Sequence, residues 1–161
     1  METIKLARAG VLDVLLDWCT LTIGPEVIRE AITEGVSRGH PAADELSARL
    51  PNFDRQVAEP AADRDDVVWQ RLGAGEREAW QLYRSGRGEL ILSDDRAFLA
   101  ALAVEEVPYL TSAGVVTVLV KEGVIPAAAG RAALDRLRPF IRQDQFEAAI
   151  DDIKAREDEG S

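Results

Sequence analysis

The spacing of apolar residues changes along the chain between a helical period and short continuous runs, which predicts helices alternating with strands. Apolar positions recur at helical spacing over 4–9 and 11–16, with Gly10 between them. Pro25 suits the first turn of a helix, and Gly35 marks the end of the helix that it begins. Further helices are predicted over 42–50, 67–72 (capped by the acidic run 63–66), 76–84, 95–104, 113–122 (capped by Ser112), 126–140 and 143–156. Runs rich in strand-forming residues lie at 19–23, 89–93 and 107–110, with a weaker one near 55–58.

This order of elements predicts an α/β fold, a parallel sheet flanked by helices. Strands that alternate with helices favour parallel pairing, because each crossover needs a helix to return the chain to the same end of the sheet. At 161 residues the chain is long enough to bury a core. We therefore expect a single domain over 1–161, with a flexible acidic tail from about 156.

The charge balance excludes broad nucleic-acid binding. The chain carries 29 acidic against 19 basic residues, a net charge of −10, which is unsuited to extensive neutralisation of phosphates. A small acidic metal site that handles phosphodiesters remains compatible with this charge. The single cysteine, Cys19, excludes an internal disulfide. With no signal-peptide layout and no apolar run near the ~18 residues of a membrane span, we expect a cytoplasmic protein without membrane contact.

Carboxylates follow one predicted strand and open the helix before it. Glu76 begins a helix, and the strand at 89–93 runs directly into Asp94 and Asp95. Roughly 10 helical residues travel about 15 Å in one direction, and roughly 5 strand residues travel about 16 Å back. We therefore expect these acids at the sheet edge where open α/β folds place their chemistry. Carboxylates without histidine or cysteine suit a hard cation such as Mg2+ or Mn2+.

Glu30 is a third candidate, from a separate segment. It lies within two turns of the carboxyl end of the predicted strand 19–23 and can face the same edge. Each acid also has a structural interpretation that stays open. Glu30 is equally compatible with a solvated helix residue, and Glu76 with an acid favoured by a helix dipole. Asp94 and Asp95 are also compatible with a helix cap.

Arginines neighbour these acids. Arg77 and Arg96 suit contacts to a substrate phosphate, although scattered surface arginines also serve as simple solvated residues.

Two motifs in this region are those of a known family. The first reads Leu-Gly-x-Gly-Glu-x-x-Ala over 72–79, and the second, over 90–97, is an apolar strand that leads into Asp94, Asp95 and, after one further residue, Ala97. Segments 4–12, 23–30 and 112–125 are similar to that family's first helix, its strand-then-helix segment and its Thr-x-Gly helix with the Lys-x-Gly-x-Ile continuation. By these motifs and their order, the chain resembles the PIN-domain family over about residues 4–150, in particular a bacterial and archaeal branch.

The resemblance implies a metal-dependent ribonuclease, often the toxin of a toxin–antitoxin pair. It implies RNA as the substrate and a small antitoxin protein as a partner, while a homodimer stays open. In the family, acids at the carboxyl edge of the sheet hold Mg2+ or Mn2+, and the metal activates the water that attacks the phosphodiester. The matching catalytic and metal-binding positions are Glu30, Glu76, Asp94 and Asp95. Ser112 matches a hydroxyl that supports a ligand.

The chain departs from the family at its start. PIN domains begin with a strand that ends in an aspartate before the first helix, whereas this chain enters that helix directly after Met1-Glu2-Thr3. We expect either that the true start lies upstream or that this copy has lost a central ligand and the middle strand of the sheet. Neither Glu2 nor Asp13 is expected to substitute, because neither follows a strand. Loss of the ligand would favour the alternative function, a PIN-like module without catalysis that acts through protein–protein interaction.

Overall fold

The computed structural model describes residues 2–39, 41–60 and 67–160, in which helices flank short parallel strands. The α-helices are α1 Glu2–Arg8, α2 Leu12–Trp18, α3 Pro25–Ile28, α4 Gly35–Ser37, α5 Pro41–Arg49, α6 Val67–Arg71, α7 Ala74–Arg84, α8 Arg96–Val104, α9 Ser112–Lys121, α10 Ala127–Leu137 and α11 Gln143–Glu159. The strands are β1 Thr22–Ile23, β2 Asp54–Arg55, β3 Ile91–Leu92 and β4 Tyr109–Leu110. A π-helical stretch, Arg29–Glu34, connects α3 to α4, and 3-10 turns cover Leu50–Asn52 and Arg138–Phe140. The acidic run 63–66, predicted as a helix cap, lies outside the described residues.

The strands pair two by two in parallel. Thr22 of β1 lies opposite Asp54 of β2, and Ile91 of β3 lies opposite Tyr109 of β4. The α/β class with parallel strands and flanking helices is confirmed, but within the described ranges the strands form two separate two-stranded sheets rather than one. Each strand is shorter than predicted. After β1, β3 and β4 the next helix begins within four residues, which leaves little extended chain to pair.

The two consecutive residues of β3 contribute to different hydrophobic clusters. Ile91 is buried with Trp80 of α7 and Phe98 of α8. Leu92 packs against the larger cluster, to which α1, α2, α9, α10 and α11 contribute. Successive side chains of a strand point to opposite faces, so β3 is held by apolar packing on both sides. The residues that follow β3 therefore leave the sheet from a fixed position.

Glycine and proline set the helix boundaries largely as predicted. Gly10 separates α1 from α2 with a φ of +75°, a left-handed conformation that glycine adopts without strain. The predicted helix from Pro25 is present but passes through the π-helical stretch and continues in α4 to Ser37, so the predicted end at Gly35 is wrong. Toward the carboxyl end, α11 stays helical through Glu159, where the sequence predicted a flexible tail from 156. No helix in the described ranges combines the length and apolar character that crossing a membrane requires.

Candidate active site

Asp94 lies directly beyond β3, and its carboxylate is almost completely buried, with 6% of the side chain exposed. Three donors contact its two oxygens. The backbone N–H of Ser112 donates to Oδ1 at 2.8 Å, and the Ser112 hydroxyl donates to Oδ2 at 2.7 Å. The Lys5 ammonium also donates to Oδ2, at 2.8 Å. Asp94 thus connects α1, β3 and the start of α9 through charge-assisted hydrogen bonds.

Ser112 reaches Asp94 because it does not cap its own helix. The sequence predicted Ser112 as the cap, and this is wrong: Thr111 is the cap residue, and its hydroxyl accepts from Gly114 N–H at 3.0 Å. The first N–H groups of a helix have no partner within the helix. Ser112 N–H finds its acceptor in Asp94, which also adds negative charge at the positive end of the α9 dipole.

Asp95 has a partly structural role. One of its carboxylate oxygens, Oδ1, accepts from Phe98 N–H at 2.8 Å and caps α8. The residue itself is exposed. Of the aspartate pair, the cap interpretation therefore applies to Asp95, whereas Asp94 points to the α9 start instead.

Glu30 lies on the π-helical stretch and contacts the first turn of α7. Its Oε1 accepts from Gly75 N–H at 3.3 Å. A Cβ atom at residue 75 would come within 2.9 Å of Glu30 Oε2, so only glycine allows this approach without displacing the carboxylate. π-helical stretches widen a helical turn and are frequent at functional sites. The motif glycine at 75 and the candidate acid at 30 are therefore direct neighbours.

Glu78, which sequence reasoning missed, fixes α3 against α7. Its carboxylate is buried, with 5% of the residue exposed, and accepts from the N–H groups of Glu26 at 3.1 Å and Val27 at 3.0 Å. These N–H groups belong to the first turn of α3. A side chain at Gly24 would collide with the Glu78 carboxylate. The Glu78 carboxylate thus fixes α3, which leads directly into the π-helical stretch that carries Glu30. In the sequence, Glu78 is one more acid two residues after Glu76, and nothing there distinguished it as a functional residue.

Glu76 lies where several negative charges meet. Its Oε2 accepts from Gly73 N–H at 2.9 Å, the contact expected of an acid in the first turn of α7. Burial raises the pKa of Glu76, the Gly73 N–H lowers it, and the charges of Asp95, Glu2 and Glu30 raise it again. Carboxylates from α1, the π-helical stretch, α7 and the β3–α8 junction therefore act on one another. Of the predicted acids, Glu30 and Asp95 lie close enough to act on Glu76, whereas Asp94 is held by Lys5 and Ser112.

Glu2 is a further acid at this edge, although it does not follow a strand and was not expected to substitute for the missing aspartate. Its Oε1 accepts from Asp94 N–H at 2.9 Å. Glu2 and Lys5 are three residues apart in α1, so both can face the same neighbour. Neither Glu2 nor Lys5 follows a strand, so the positions of the strand ends gave no signal for them. Helical spacing in α1 was the signal that could have indicated the pair.

Comparison with known families gives a match over almost the whole chain. The profile of a PIN domain matches residues 3–156. This chain belongs to the PIN-domain family. Its fold is therefore nuclease-like, and the resemblance noted from the motifs at 72–79 and 90–97 is confirmed. Comparison with curated proteins and with solved structures gives no match.

Basic groups lie beside the acids of this PIN domain. Arg77 carries a buried Nε that has no hydrogen-bond partner within the described residues. Arg96 is exposed at the first turn of α8. Sequence reasoning did not single out Arg142, whose Nη1 donates to the Asp94 carbonyl at 3.4 Å, or Lys5.

A divalent metal, which PIN domains typically need, fits the donor set in chemistry and charge. The donors are carboxylate oxygens, the ligands that Mg2+ and Mn2+ prefer, and a cation would relieve the repulsion around Glu76. In the described part of the chain, no three acidic, histidine or cysteine side chains already form a ligand cage. Asp94 is engaged by Lys5 and Ser112. Side-chain rotation is therefore needed to bring these acids onto one ion.

Proposed function

We propose that this PIN-domain protein is a metal-dependent endoribonuclease that holds Mg2+ or Mn2+ with Glu30, Glu76, Asp94 and Asp95. One observation supports the proposal most. The pKa of Glu76 is raised by its burial and by the charges of Asp95, Glu2 and Glu30. Acids that are far apart in the sequence repel one another at one edge of the fold, which costs stability without a cation. Such an arrangement is typical of functional sites.

The side chains around the acids would fix their orientation. Gly75 N–H orients Glu30, Gly73 N–H orients Glu76, and the two donors of Ser112 hold the carboxylate of Asp94. A bound divalent cation supplies activation of a water and stabilisation of charge on the phosphodiester oxygens.

Positive side chains beside the acids would bind the substrate. We assign the contacts to the RNA phosphate to Arg77 and Arg96. Arg96 is exposed in the first turn of α8, where a phosphate can reach it, whereas the Arg77 side chain has to move before its buried, unpartnered Nε can donate to one. RNA as substrate, the role of a toxin and a small antitoxin partner belong to the proposal through the family resemblance. A cytoplasmic location belongs to it because the single cysteine, Cys19, suits a reducing compartment.

An RNA cleavage assay with and without Mn2+ tests the proposal. Cleavage should require the metal, stop with EDTA, and fall at least about 100-fold in Glu76→Gln and Asp95→Asn. Asp151→Asn is the matched control, because Asp151 is 77% exposed on α11 and should leave cleavage unchanged. Metal-independent cleavage, or equal activity in all variants, would contradict the proposal.

A second candidate is a PIN-like module without catalysis that binds protein partners. The observation that favours it is the occupied state of Asp94, whose two oxygens already accept from Lys5 and Ser112. A carboxylate satisfied by its own protein has less need of a metal. Titration with Mn2+ separates the two candidates, since only the nuclease should bind the ion at this edge.

A further inference from the structure

The proposed function does not account for the ion pair between Lys5 and Asp94. Lys5 Nζ lies 2.8 Å from Asp94 Oδ2, with 19% of the lysine side chain and 6% of the aspartate side chain exposed. Exposed ion pairs contribute little to stability, but this pair is largely shielded from water. Removing one partner from such a pair leaves an uncompensated charge. The contact is thus a structural part of the group of acids formed by Glu2, Glu30, Glu76, Asp94 and Asp95, which we call the acidic edge.

The lysine occupies the carboxylate that a metal would need. A carboxylate has about four lone-pair sites for hydrogen bonds or metals, and three donors already contact Asp94. The two donors of Ser112 are neutral, so they leave the charge of Asp94 in place. Lys5 neutralises that charge. A divalent ion placed on the same carboxylate would also lie close to the ammonium and be repelled by it.

We infer that Lys5 is the resident counter-cation of the acidic edge and competes with a divalent metal for Asp94. The inference rests on the proposed function, because it takes the same acids as the metal ligands. It assigns Lys5 a positioning and regulating role: the long, flexible side chain releases Asp94 when metal binds and returns when metal leaves. Lysine suits this exchange, since its ammonium is a compact charge on a flexible stem.

Mn2+ binding by the full chain tests the inference, with free Mn2+ counted by electron paramagnetic resonance. Lys5→Met removes the charge and keeps an apolar stem, so its Kd for Mn2+ should fall by about tenfold, equal to about 1.4 kcal/mol. Lys5→Arg keeps the charge and should bind Mn2+ as the wild type does. Lys154→Met is the matched control, since Lys154 is 62% exposed on α11, and it should not change the Kd.

A double-mutant cycle with Asp94→Asn shows whether the gain passes through this carboxylate. In the Asp94→Asn background, Lys5→Met should give no tenfold gain. Lys5→Gln loses the charge but keeps a donor for Asp94, and it should also bind Mn2+ more tightly than the wild type. It replaces Lys5→Met in the test if circular dichroism shows that Lys5→Met is unfolded.

The outcomes separate this inference from the proposed function. An unchanged or higher Kd in Lys5→Met and Lys5→Gln overturns the inference, and Mn2+-dependent cleavage by the wild type would still leave the nuclease standing. Binding by Lys5→Met but not by the wild type supports the inference and overturns a metal-dependent nuclease in the native chain. Absence of Mn2+ binding in every variant overturns both.

Discussion

Gly75 and Glu30 lie in direct contact: Gly75 N–H donates to Glu30 Oε1 at 3.3 Å, and a Cβ at residue 75 would come within 2.9 Å of Glu30 Oε2. The contact joins the π-helical stretch to the first turn of α7. It explains why a motif glycine directly precedes Glu76, since a side chain there would occupy the space of the neighbouring carboxylate.

Gly75→Ala should therefore separate activity from stability. The nearest atom to the added Cβ is the end of the flexible Glu30 side chain, and Val27 Cγ2, at 3.3 Å, needs only a small shift. Alanine favours the helix by up to about 1 kcal/mol, which offsets part of that cost, so the free energy of unfolding should change by less than about 1 kcal/mol. The displaced Glu30 carboxylate should lower Mn2+ affinity and RNA cleavage by about tenfold or more. Urea unfolding and the cleavage assay measure the two effects.

The control for this variant is Gly88→Ala. A Cβ at residue 88 meets only Leu90 O, at 3.7 Å, an ordinary contact. Equal cleavage by Gly75→Ala and Gly88→Ala would contradict a role for the Gly75–Glu30 contact.

Glu76→Gln should stabilise the metal-free protein at neutral pH. Burial and the charges of Asp95, Glu2 and Glu30 raise the folded-state pKa of Glu76 above its ordinary value. An acid with a raised pKa binds its proton more tightly in the folded state, so its ionised form destabilises the fold, and this cost disappears as the pH falls below the unfolded pKa. Glutamine removes the charge and keeps an acceptor for Gly73 N–H.

Melting in EDTA at several pH values measures the effect. At pH 7 the gain in Glu76→Gln should be positive and less than about 1 kcal/mol, because water screens the partly exposed group. It should shrink as the pH falls through the raised folded-state pKa of Glu76 and be absent below about pH 4.5, the ordinary range of a glutamate. A variant that is less stable than the wild type at pH 7, or a gain that grows on acidification, would refute this prediction.

Ser112→Ala should destabilise the fold through Asp94. Ser112 is fully buried, and its hydroxyl donates to Asp94 Oδ2 at 2.7 Å. Loss of a donor to a buried charge costs about 1–3 kcal/mol, measurable as a lower midpoint of urea unfolding. Ser85→Ala is the control, since its exposed hydroxyl donates only to helix carbonyls at 3.0 Å. Equal midpoints for the two variants would contradict a buried network around Asp94.

Mn2+ should raise the melting temperature of the wild-type chain. A ligand that binds only the folded state adds about 2.7 kcal/mol when its concentration is 100 times its Kd. The double variant Asp94→Asn with Asp95→Asn should lose the rise, because it removes two of the proposed ligands. A wild type that melts at one temperature with and without Mn2+ would instead favour the module without catalysis.

Local signals in the sequence predicted the elements and several of the site residues. The carboxylate of Asp95 and the first turn of α7 were predicted where they occur, because helix starts and strand ends depend on neighbouring residues. The cap of α9 was predicted one residue late. Thr111 and Ser112 are both good caps, and the choice depends on Asp94, which lies 18 residues away in the chain.

The sequence by itself determined the order of helices and strands, the family, and the presence of acids beside Gly75 and beyond β3, since periodicity and punctuating residues act over a few positions. Only the tertiary structure decided that Lys5 and Glu2 reach Asp94, across 89 and 92 residues. It also decided that the strands pair as two sheets in the described ranges. Such contacts depend on how the packed layers bring distant segments together, and no short stretch of sequence encodes which distant segments will meet.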